Sequence, residues 1–347
     1  MQTTPKNGDN TPADALSRRL AAFRFTVETK PAPRLPAVLP VADMTNVAPM
    51  TVAPIPAAPM APVAAALRAA RGARSIAVHP GTMSWHEMHS PHPEESAACL
   101  ASLLGDEVAS ADHGGGGCYS TILCDGLQVA GATALGFGRE PGWSTYVRVP
   151  SVDLVCHIAL SKGGSVRVEP SGILGLDRRA VIADPTGAAL TIIAGGDDRR
   201  TTGAGAIGWD ELRSTDPMES VRFWCSVFKW SAVPLADARE TQGALFLNGG
   251  LPVASVQRAQ PAERASRWLP VATVRRDLFD GALQRAIHAG ARIVAAPQPH
   301  GVLGRLAILV EPTSVGPSGE TSGQATGQTT GIELALGGEP RTAFVAA

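Results

Sequence analysis

The chain has 347 residues, of which 44% are hydrophobic, and this length suits one large domain or two of ordinary size. Its 30 Lys and Arg residues nearly balance 31 Asp and Glu residues, so no net field would draw it onto nucleic acid or anionic lipid. The five cysteines contain no CxxC pair, and no run reaches the roughly 18 apolar residues of a membrane helix. We therefore expect a cytoplasmic protein with reduced thiols and with neither nucleic acid nor membrane as a partner.

The first predicted segment, residues 1–80, is a disordered Ala/Pro-rich tail. It contains 12 of the 28 prolines, which alternate with Ala, Val and Met. Such a composition buries too little apolar surface to offset the entropy of ordering the chain. Within it, residues 13–26 have apolar side chains at helical spacing, which indicates a transient helix or a docking peptide. A start at Met60 or Met83, which would remove the tail, is an alternative.

An internal repeat organises the rest of the chain. The segment SWHEMHSPHPEESAACLASLLG (84–105) recurs 124 residues later as GWDELRSTDPMESVRFWCSVFK (208–229). Two further pairs follow in the same order: GWSTYVRV (142–149) with RWLPVATV (267–274), and GLDRRAVIADPTG (175–187) with VLGRLAILVEPTS (302–314). Three ordered blocks indicate a duplicated module. We predict modules at 81–198 and 205–337, with the low-complexity residues 314–331 as a flexible loop.

Each copy is predicted to open with a strand whose period of two places the Trp and the Glu of the motif on one face. A helix follows, with Asp216 as N-cap and Pro217 at its first position in the second copy. The apolar stripes of these helices are Ala97, Leu100, Ala101 and Leu104 in one copy, and Val221, Trp224, Cys225 and Phe228 in the other. Gly-punctuated strands come next. A second helix, 152–161 or 278–289, then ends at Gly163 or Gly290, and a closing hairpin completes an α+β module.

The pattern W-x-E-[LM]-x-[ST]-x-x-P, a helix, G-W-x-x-Y-V-x-V and a closing D-P-x-G resembles tandem proteins of the vicinal oxygen chelate superfamily. That superfamily includes glyoxalase I, bleomycin-resistance proteins and extradiol dioxygenases. The resemblance implies two βαβββ modules whose curved sheets enclose a cup-shaped cavity between them. It is weaker evidence for function than for fold, because the fold hosts several chemistries.

The resemblance also implies metal ligands on the first and last strands of each module. The first-strand positions fall on Trp85 and Trp209, and the last-strand position of the first copy falls on Thr191. In the second copy the direct count reaches Ser318, and if residues 314–331 are an insertion, the ligand is instead Glu333. Trp and Thr are unsuited to holding a catalytic divalent metal, so we predict no metal site and no cofactor. A divalent metal remains possible only if this transfer of ligand positions is wrong.

Two tryptophans facing a cavity would form a π-rich wall for a partly apolar molecule, or would fill the cup as core. Glu87 and Glu211 share their face, so each is a buried acid at the cavity or a carboxylate bonded to neighbouring protein groups.

The charged residues outside that pair are also assigned roles. Arg178 and Arg305 would clamp an anionic ligand or pair with Asp184 and Glu311. The histidines of HEMHSPH, residues 86, 89 and 92, are predicted to lie on a solvated strand edge.

The leading hypothesis is a metal-independent protein that binds a small organic molecule between the modules, as a monomer or a homodimer. The alternative is a lyase, isomerase or dioxygenase with a relocated site built from Glu87, Glu211, His89 or Glu333. A third hypothesis makes the cup a scaffold and the tail a docking segment. The sequence leaves open whether the protein is an enzyme.

Overall fold

The computed structural model describes residues 72–104, 107–112, 118–135, 140–172, 177–195, 199–235, 243–260, 263, 265–311 and 332–340. Most of the predicted tail and the predicted loop 314–331 therefore lie outside the described residues. Within the range predicted as tail, β1 (Arg74–Ala77) forms a strand that pairs antiparallel with β10 (Arg199–Thr202). No helix of the described chain is long and apolar enough to cross a bilayer.

Two eight-stranded mixed sheets make up the rest of the described fold. The first contains β2 (Met83–Ser90), β3 (Glu107–Asp112), β4 (Cys118–Cys124), β5 (Leu127–Ala134), β6 (Gly142–Arg148), β7 (Ser165–Ser171), β8 (Asp177–Ala183) and β9 (Ala189–Gly195). The second contains β11 (Ala206–Ser214), β12 (Ser231–Pro234), β13 (Ala244–Asn248), β14 (Leu251–Arg258), β15 (Arg267–Val274), β16 (Arg292–His300), β17 (Gly304–Val310) and β18 (Glu333–Gly338).

The strand orders of the two sheets correspond strand for strand. They are β3-β4-β5-β2-β6-β9-β8-β7 and β12-β13-β14-β11-β15-β18-β17-β16. In each sheet the two central strands are antiparallel and each has a parallel neighbour on its outer side. The predicted tandem α+β fold is confirmed and refined, because each half contains two βαβββ units in one continuous sheet.

In the described part of the chain, four α-helices connect the strands: α1 (Pro93–Leu104), α2 (Val152–Ser161), α3 (Pro217–Phe228) and α4 (Phe279–His288), the last preceded by a 3-10 turn at Arg276–Leu278. The Asp216 side chain caps α3 by accepting from the Glu219 amide, with Pro217 in the first turn, as predicted. The glycines after α2 and α4 are left-handed, with φ of 83° at Gly163 and 95° at Gly290.

The buried stripe of α3 differs from its prediction. Ser220, Phe223, Trp224, Val227 and Phe228 are buried, whereas the predicted Val221 and Cys225 remain partly exposed. The stripe turns this way because α3 packs against the other half as well as its own sheet. The Trp224 indole donates to Asp184 there, at 3.1 Å.

The helices lie on one face of each sheet and join the two halves. One core cluster combines α1 and the first sheet with α4 and the second sheet, and another combines α2 with α3 in the same crossed manner. The resemblance implied one cavity enclosed between the two sheets, but in the structure the helices lie between them. The face of each sheet that points away from its helices is therefore a separate surface. We call these surfaces the first cup, on the first sheet, and the second cup, on the second sheet.

Candidate functional site

The first cup is the face of the first sheet that carries Trp85, Glu87 and His89. These residues alternate along β2, so the strand's period of two turns all three to the same side. The register with β6 sets Glu87 opposite Ser144 and Trp85 opposite Tyr146. The side chains of Ser144 and Tyr146 therefore lie on the same face as Trp85 and Glu87. Because β2 and β6 are central strands, the group lies at the middle of the cup.

A hydrogen-bond network converges on the Glu87 carboxylate. The Trp85 indole donates to the Tyr119 hydroxyl at 3.2 Å, and that hydroxyl donates to Glu87 Oε2 at 3.3 Å. The Tyr146 hydroxyl donates to Glu87 Oε1 at 3.3 Å. His89 Nε2 lies 2.9 Å from Ser144 Oγ and 3.5 Å from Glu87 Oε1.

The phenol of Tyr119 stays protonated in this network. Burial raises the pKa of Tyr119 well above its usual range, and the nearby Glu87 charge raises it further. The hydroxyl is therefore a hydrogen-bond donor to the carboxylate at every physiological pH. It leaves Glu87 as the acceptor at the floor of the first cup.

The first cup is open to solvent at this network. Trp85 and Tyr119 are partly exposed, and the side chains of Glu87 and His89 are 18% and 15% exposed to solvent. A molecule in the cup would thus meet two aromatic rings, a carboxylate and an imidazole. Such a combination of apolar walls and a few convergent polar groups is typical of small-molecule sites.

The second cup repeats the network in a closed form. Trp209 donates to Ser255 Oγ at 2.7 Å, and that hydroxyl donates to Glu211 Oε2. Glu211 is fully buried, and Arg213 and His300 lie 4.0 Å and 3.4 Å from its carboxylate.

The second sheet curls strongly enough to close this cup. His300 belongs to β16, four strands away from β11, a separation of about 19 Å in a flat sheet. Its imidazole nevertheless touches Glu211. Val302 and Leu303, at the tip of the same hairpin, join Trp209 in a buried cluster. Trp209 therefore fills the cup as core, the second of the two roles predicted for it.

The two cups differ by a compensating exchange of residues. Ser255 supplies the central hydroxyl of the second cup, and its counterpart 124 residues earlier is Gly131. A Cβ at Gly131 would lie 2.0 Å from the Tyr119 hydroxyl, so the missing side chain makes room for the tyrosine. The counterpart of Tyr119 is in turn Gly243.

The remaining charged site residues lie elsewhere. Arg178 bonds Asp153 at 2.6 and 2.8 Å, and Arg305 bonds Asp280 at 2.7 Å. Both arginines form ion pairs, but the predicted partners Asp184 and Glu311 are wrong, because the pairs reach to the first turn of the neighbouring helix. Both arginines are engaged by the carboxylates of Asp153 and Asp280, and the ligand-clamp role stays a prediction.

The predicted solvated edge is wrong for His86, which is 3% exposed because β2 is central in its sheet. His89 lies on the opposite face of β2 and is partly exposed, and His92 is exposed after the strand. The Nε2 of His86 lies 2.9 Å from Oδ1 of Asp210, its own counterpart in the repeat. The pair therefore marks the axis that relates the two halves.

The sheet register changes one of the four expected ligand positions, the one on the last strand of the second half. Thr191 pairs with Tyr146 on β6, and the equivalent residue opposite Val271 on β15 is Ala335. Glu333 lies two residues earlier and binds Arg267, whose Nε donates to its carboxylate at 2.6 Å. The four positions at which the resemblance implies ligands are thus Trp85, Trp209, Thr191 and Ala335.

This donor set does not fit a divalent metal. Indole and methyl groups cannot ligate, and a threonine hydroxyl alone is a poor ligand. Across the described residues, no three His, Cys, Asp or Glu side chains group closely enough to hold a metal ion.

Sequence reasoning missed Tyr119, Tyr146, Ser255 and His300. A compositional signal was present for two of them, because the chain has only two tyrosines and both donate to Glu87. Nothing local distinguishes Ser255 or His300.

Comparison with known proteins shows the following similarities. The profile of the Glyoxalase/Bleomycin resistance protein/Dioxygenase superfamily matches residues 206–321. The chain is 30% identical over 155 residues to the anthracycline biosynthesis protein DauV of Streptomyces sp. (strain C5), covering 40% of this chain and 56% of that relative. It is 26% identical over 247 residues to CFP32 of Mycobacterium bovis, named as a glyoxylase, covering 67% of this chain and 91% of that relative.

The match to the anthracycline biosynthesis protein thus spans little more than half of that relative's length. A solved structure, 2,2',3-trihydroxybiphenyl 1,2-dioxygenase from Sphingomonas wittichii strain RW1, aligns with a TM-score of 0.50. The alignment covers 76% of this chain and 92% of that one at 10% identity, so the similarity is one of fold alone.

Proposed function

We propose that this chain, whose residues 206–321 match the profile of the Glyoxalase/Bleomycin resistance protein/Dioxygenase superfamily, binds a small, partly apolar organic molecule in its first cup without a metal. The observation that carries the proposal is the difference between the cups. The second is filled by its own side chains, whereas the first leaves Trp85, Glu87, His89 and Tyr119 partly exposed.

The ligand would lie on the aromatic side chains and bond to the polar groups at the centre. Trp85 and Tyr119 offer apolar surface, and an aromatic ligand stacked on them would bury it favourably. Relatives named for anthracycline biosynthesis make flat, polycyclic molecules the first class to test. The similarity to CFP32, which is named as a glyoxylase, makes small organic substrates the second class to test.

A pair of matched variants tests the location of the site. Trp85→Phe should weaken binding of a flat aromatic probe such as 1-naphthalenemethanol several-fold, measured by isothermal titration calorimetry, with little loss of thermal stability. Trp209→Phe makes the same change in the closed cup, so it should lower the melting temperature and leave the affinity unchanged. Equal effects of the two variants on affinity would contradict the proposal.

A second candidate is proton-transfer catalysis in the same cup. Glu87 would take a proton from a bound carbon acid and return it to another atom of the same molecule, and His89, whose Nε2 lies 3.5 Å from Glu87 Oε1, would be the neighbouring polar group. An isomerase or lyase of this kind would lose turnover in Glu87→Gln. In contrast, Glu333→Gln removes a carboxylate that the structure pairs with Arg267, and should leave turnover intact. Loss of turnover only in the Glu333 variant would contradict this site.

A further inference from the structure

Comparison of the two cups identifies what the first cup lacks. Glu87 and Glu211 are counterparts, and each lies beneath an indole and a hydroxyl that form the same chain of hydrogen bonds. In the second cup the guanidinium of Arg213 lies 4.0 Å from the carboxylate. The residue 124 positions before Arg213 is His89, which has no permanent positive charge.

Arg213 hydrogen-bonds Glu263 at 3.0 Å and Gln257 at 3.2 Å, and its guanidinium also brings a permanent positive charge to within 4.0 Å of Glu211. The Glu87 carboxylate has no such permanent charge from its counterpart residue, His89. Within the described residues, His89 is the only basic side chain within 4 Å of the Glu87 carboxylate. The second cup is closed around its cation, since Arg213 and Glu211 are 6% and 0% exposed. In the first cup the corresponding carboxylate keeps contact with solvent.

The aromatic residues around Glu87 add to the attraction for a positive charge. The π face of an aromatic ring is electron-rich, and Trp and Tyr are favourable partners for ammonium and guanidinium groups. Trp85, Tyr119 and Tyr146 are joined to Glu87 directly or through one hydroxyl. Their N–H and O–H groups are already directed at oxygen atoms of the network, so among these residues and Glu87 the carboxylate is the group left to accept from a ligand.

We propose that the first cup binds a ligand with a positively charged amine, which pairs with Glu87 in the place that Arg213 takes beside Glu211. This inference rests on the proposed function, because it requires the first cup to be the binding site. Beyond the proposed function, the inference specifies that the ligand is positively charged and that Glu87 is the residue that selects it. The apolar part of the ligand would lie on Trp85 and Tyr119.

Three probes of one shape separate charge from shape. They are 1-naphthylmethylamine, which is a cation near neutral pH, 1-naphthalenemethanol, which is neutral, and 1-naphthoate, which is an anion. Titration calorimetry of the full chain should give about tenfold tighter binding of the amine than of the alcohol, as expected for one charge-assisted hydrogen bond. The carboxylate probe should bind more weakly than the alcohol.

Two variants assign the preference to the first cup. Glu87→Gln should reduce the affinity for the amine to that for the alcohol. His89→Arg should do the same by reproducing the internal pair of the second cup, and it leaves Glu87 in place if the glutamine variant fails to fold. Asp125→Asn is the control, because it removes a carboxylate at an exposed hairpin turn with φ of 50°, a conformation that Asn also accepts.

The outcomes separate this inference from the function on which it rests. If the amine and the alcohol bind equally and Trp85→Phe weakens both, the cup is a binding site but the inference about charge is overturned. Tightest binding of 1-naphthoate would also overturn it. If none of the three probes binds, both the inference and the proposed function fail for ligands of this class.

Discussion

The hydroxyl group of Tyr119 fills the space that a side chain at Gly131 would need, since a Cβ there would lie 2.0 Å from the tyrosine oxygen. In the second half of the chain the corresponding positions carry Gly243 and Ser255. Each half therefore supplies one hydroxyl to bridge its tryptophan and its glutamate, but from a different strand. The exchange keeps the network while it changes the shape of the cup above it.

A double-mutant cycle tests this compensation. Gly131→Ser should destabilise the fold by about 1–3 kcal/mol, because the added atoms overpack against Tyr119. Tyr119→Ala removes the obstacle, so the double variant should be more stable than the sum of the single effects by about 1 kcal/mol or more. Urea denaturation measures all three variants. Additive effects would show that the two residues do not compete for the same space.

The buried contact between the halves should matter more than exposed ion pairs. Asp210→Ala leaves His86 without its hydrogen-bond partner at a site that is 3% exposed, so we expect a loss of about 1–3 kcal/mol in unfolding free energy. Asp153→Asn, which breaks the exposed pair with Arg178, is the matched control and should leave the denaturation midpoint nearly unchanged. A similar loss in both variants would contradict this ranking.

Asp184 is predicted to stabilise both its own turn and the junction with α3. Its Oδ1 accepts from the Thr186 and Ala188 amides at 2.9 and 3.0 Å, and its Oδ2 accepts from Ser220 and Trp224 at 2.7 and 3.1 Å. Asp184→Ala leaves these buried donors without an acceptor. It should therefore lower the free energy of unfolding by about 3 kcal/mol, measured by urea denaturation.

The asparagine variant at the same position separates the turn from the junction. Asp184→Asn keeps one acceptor for the turn but presents an amide N–H to a second set of donors. It should therefore still cost at least about 1 kcal/mol. A stable Asp184→Asn protein would mean that the Trp224 and Ser220 bonds contribute little.

Three cysteines, Cys99, Cys156 and Cys225, should be unreactive in the folded protein. They are free thiols, and burial raises the pKa of Cys99 to about 12 and that of Cys156 to about 11. Negative charge from Glu311 adds to the shift at Cys99. At pH 8 the thiolate fraction of Cys99 would be about one in ten thousand, so iodoacetamide should label it slowly until urea is added.

The same shift links stability to pH in a defined window. The folded state favours the neutral thiol of Cys99, so this contribution is complete below pH 9 and is lost as the pH rises from 9 towards 12. Cys99→Ala should remove that part of the alkaline destabilisation. Rapid labelling of Cys99 at pH 8 in the absence of urea would contradict both expectations.

The strand and helix order was predictable because its signals are local. The period of two in WHEMHS and WDELRS, the Asp216-Pro217 helix start and the glycines after α2 and α4 each act within a few residues. The phase of α3 was predicted wrongly, since its buried side depends on Asp184, which lies 40 residues before Trp224. Arg178 was likewise assigned a nearby acid, whereas the structure joins it to Asp153, 25 residues away.

The sequence by itself determined the duplication, the superfamily resemblance and three of the four residues at the expected ligand positions, because these depend only on which residue occupies each repeated position. The sheet register decided the fourth, Ala335 in place of Glu333. Tertiary structure alone decided which cup is open. That difference depends on His300 reaching Glu211 across four strands and on Tyr119 entering the space above Gly131. Such contacts arise when a curled sheet brings distant side chains together, and no short-range pattern encodes the curl.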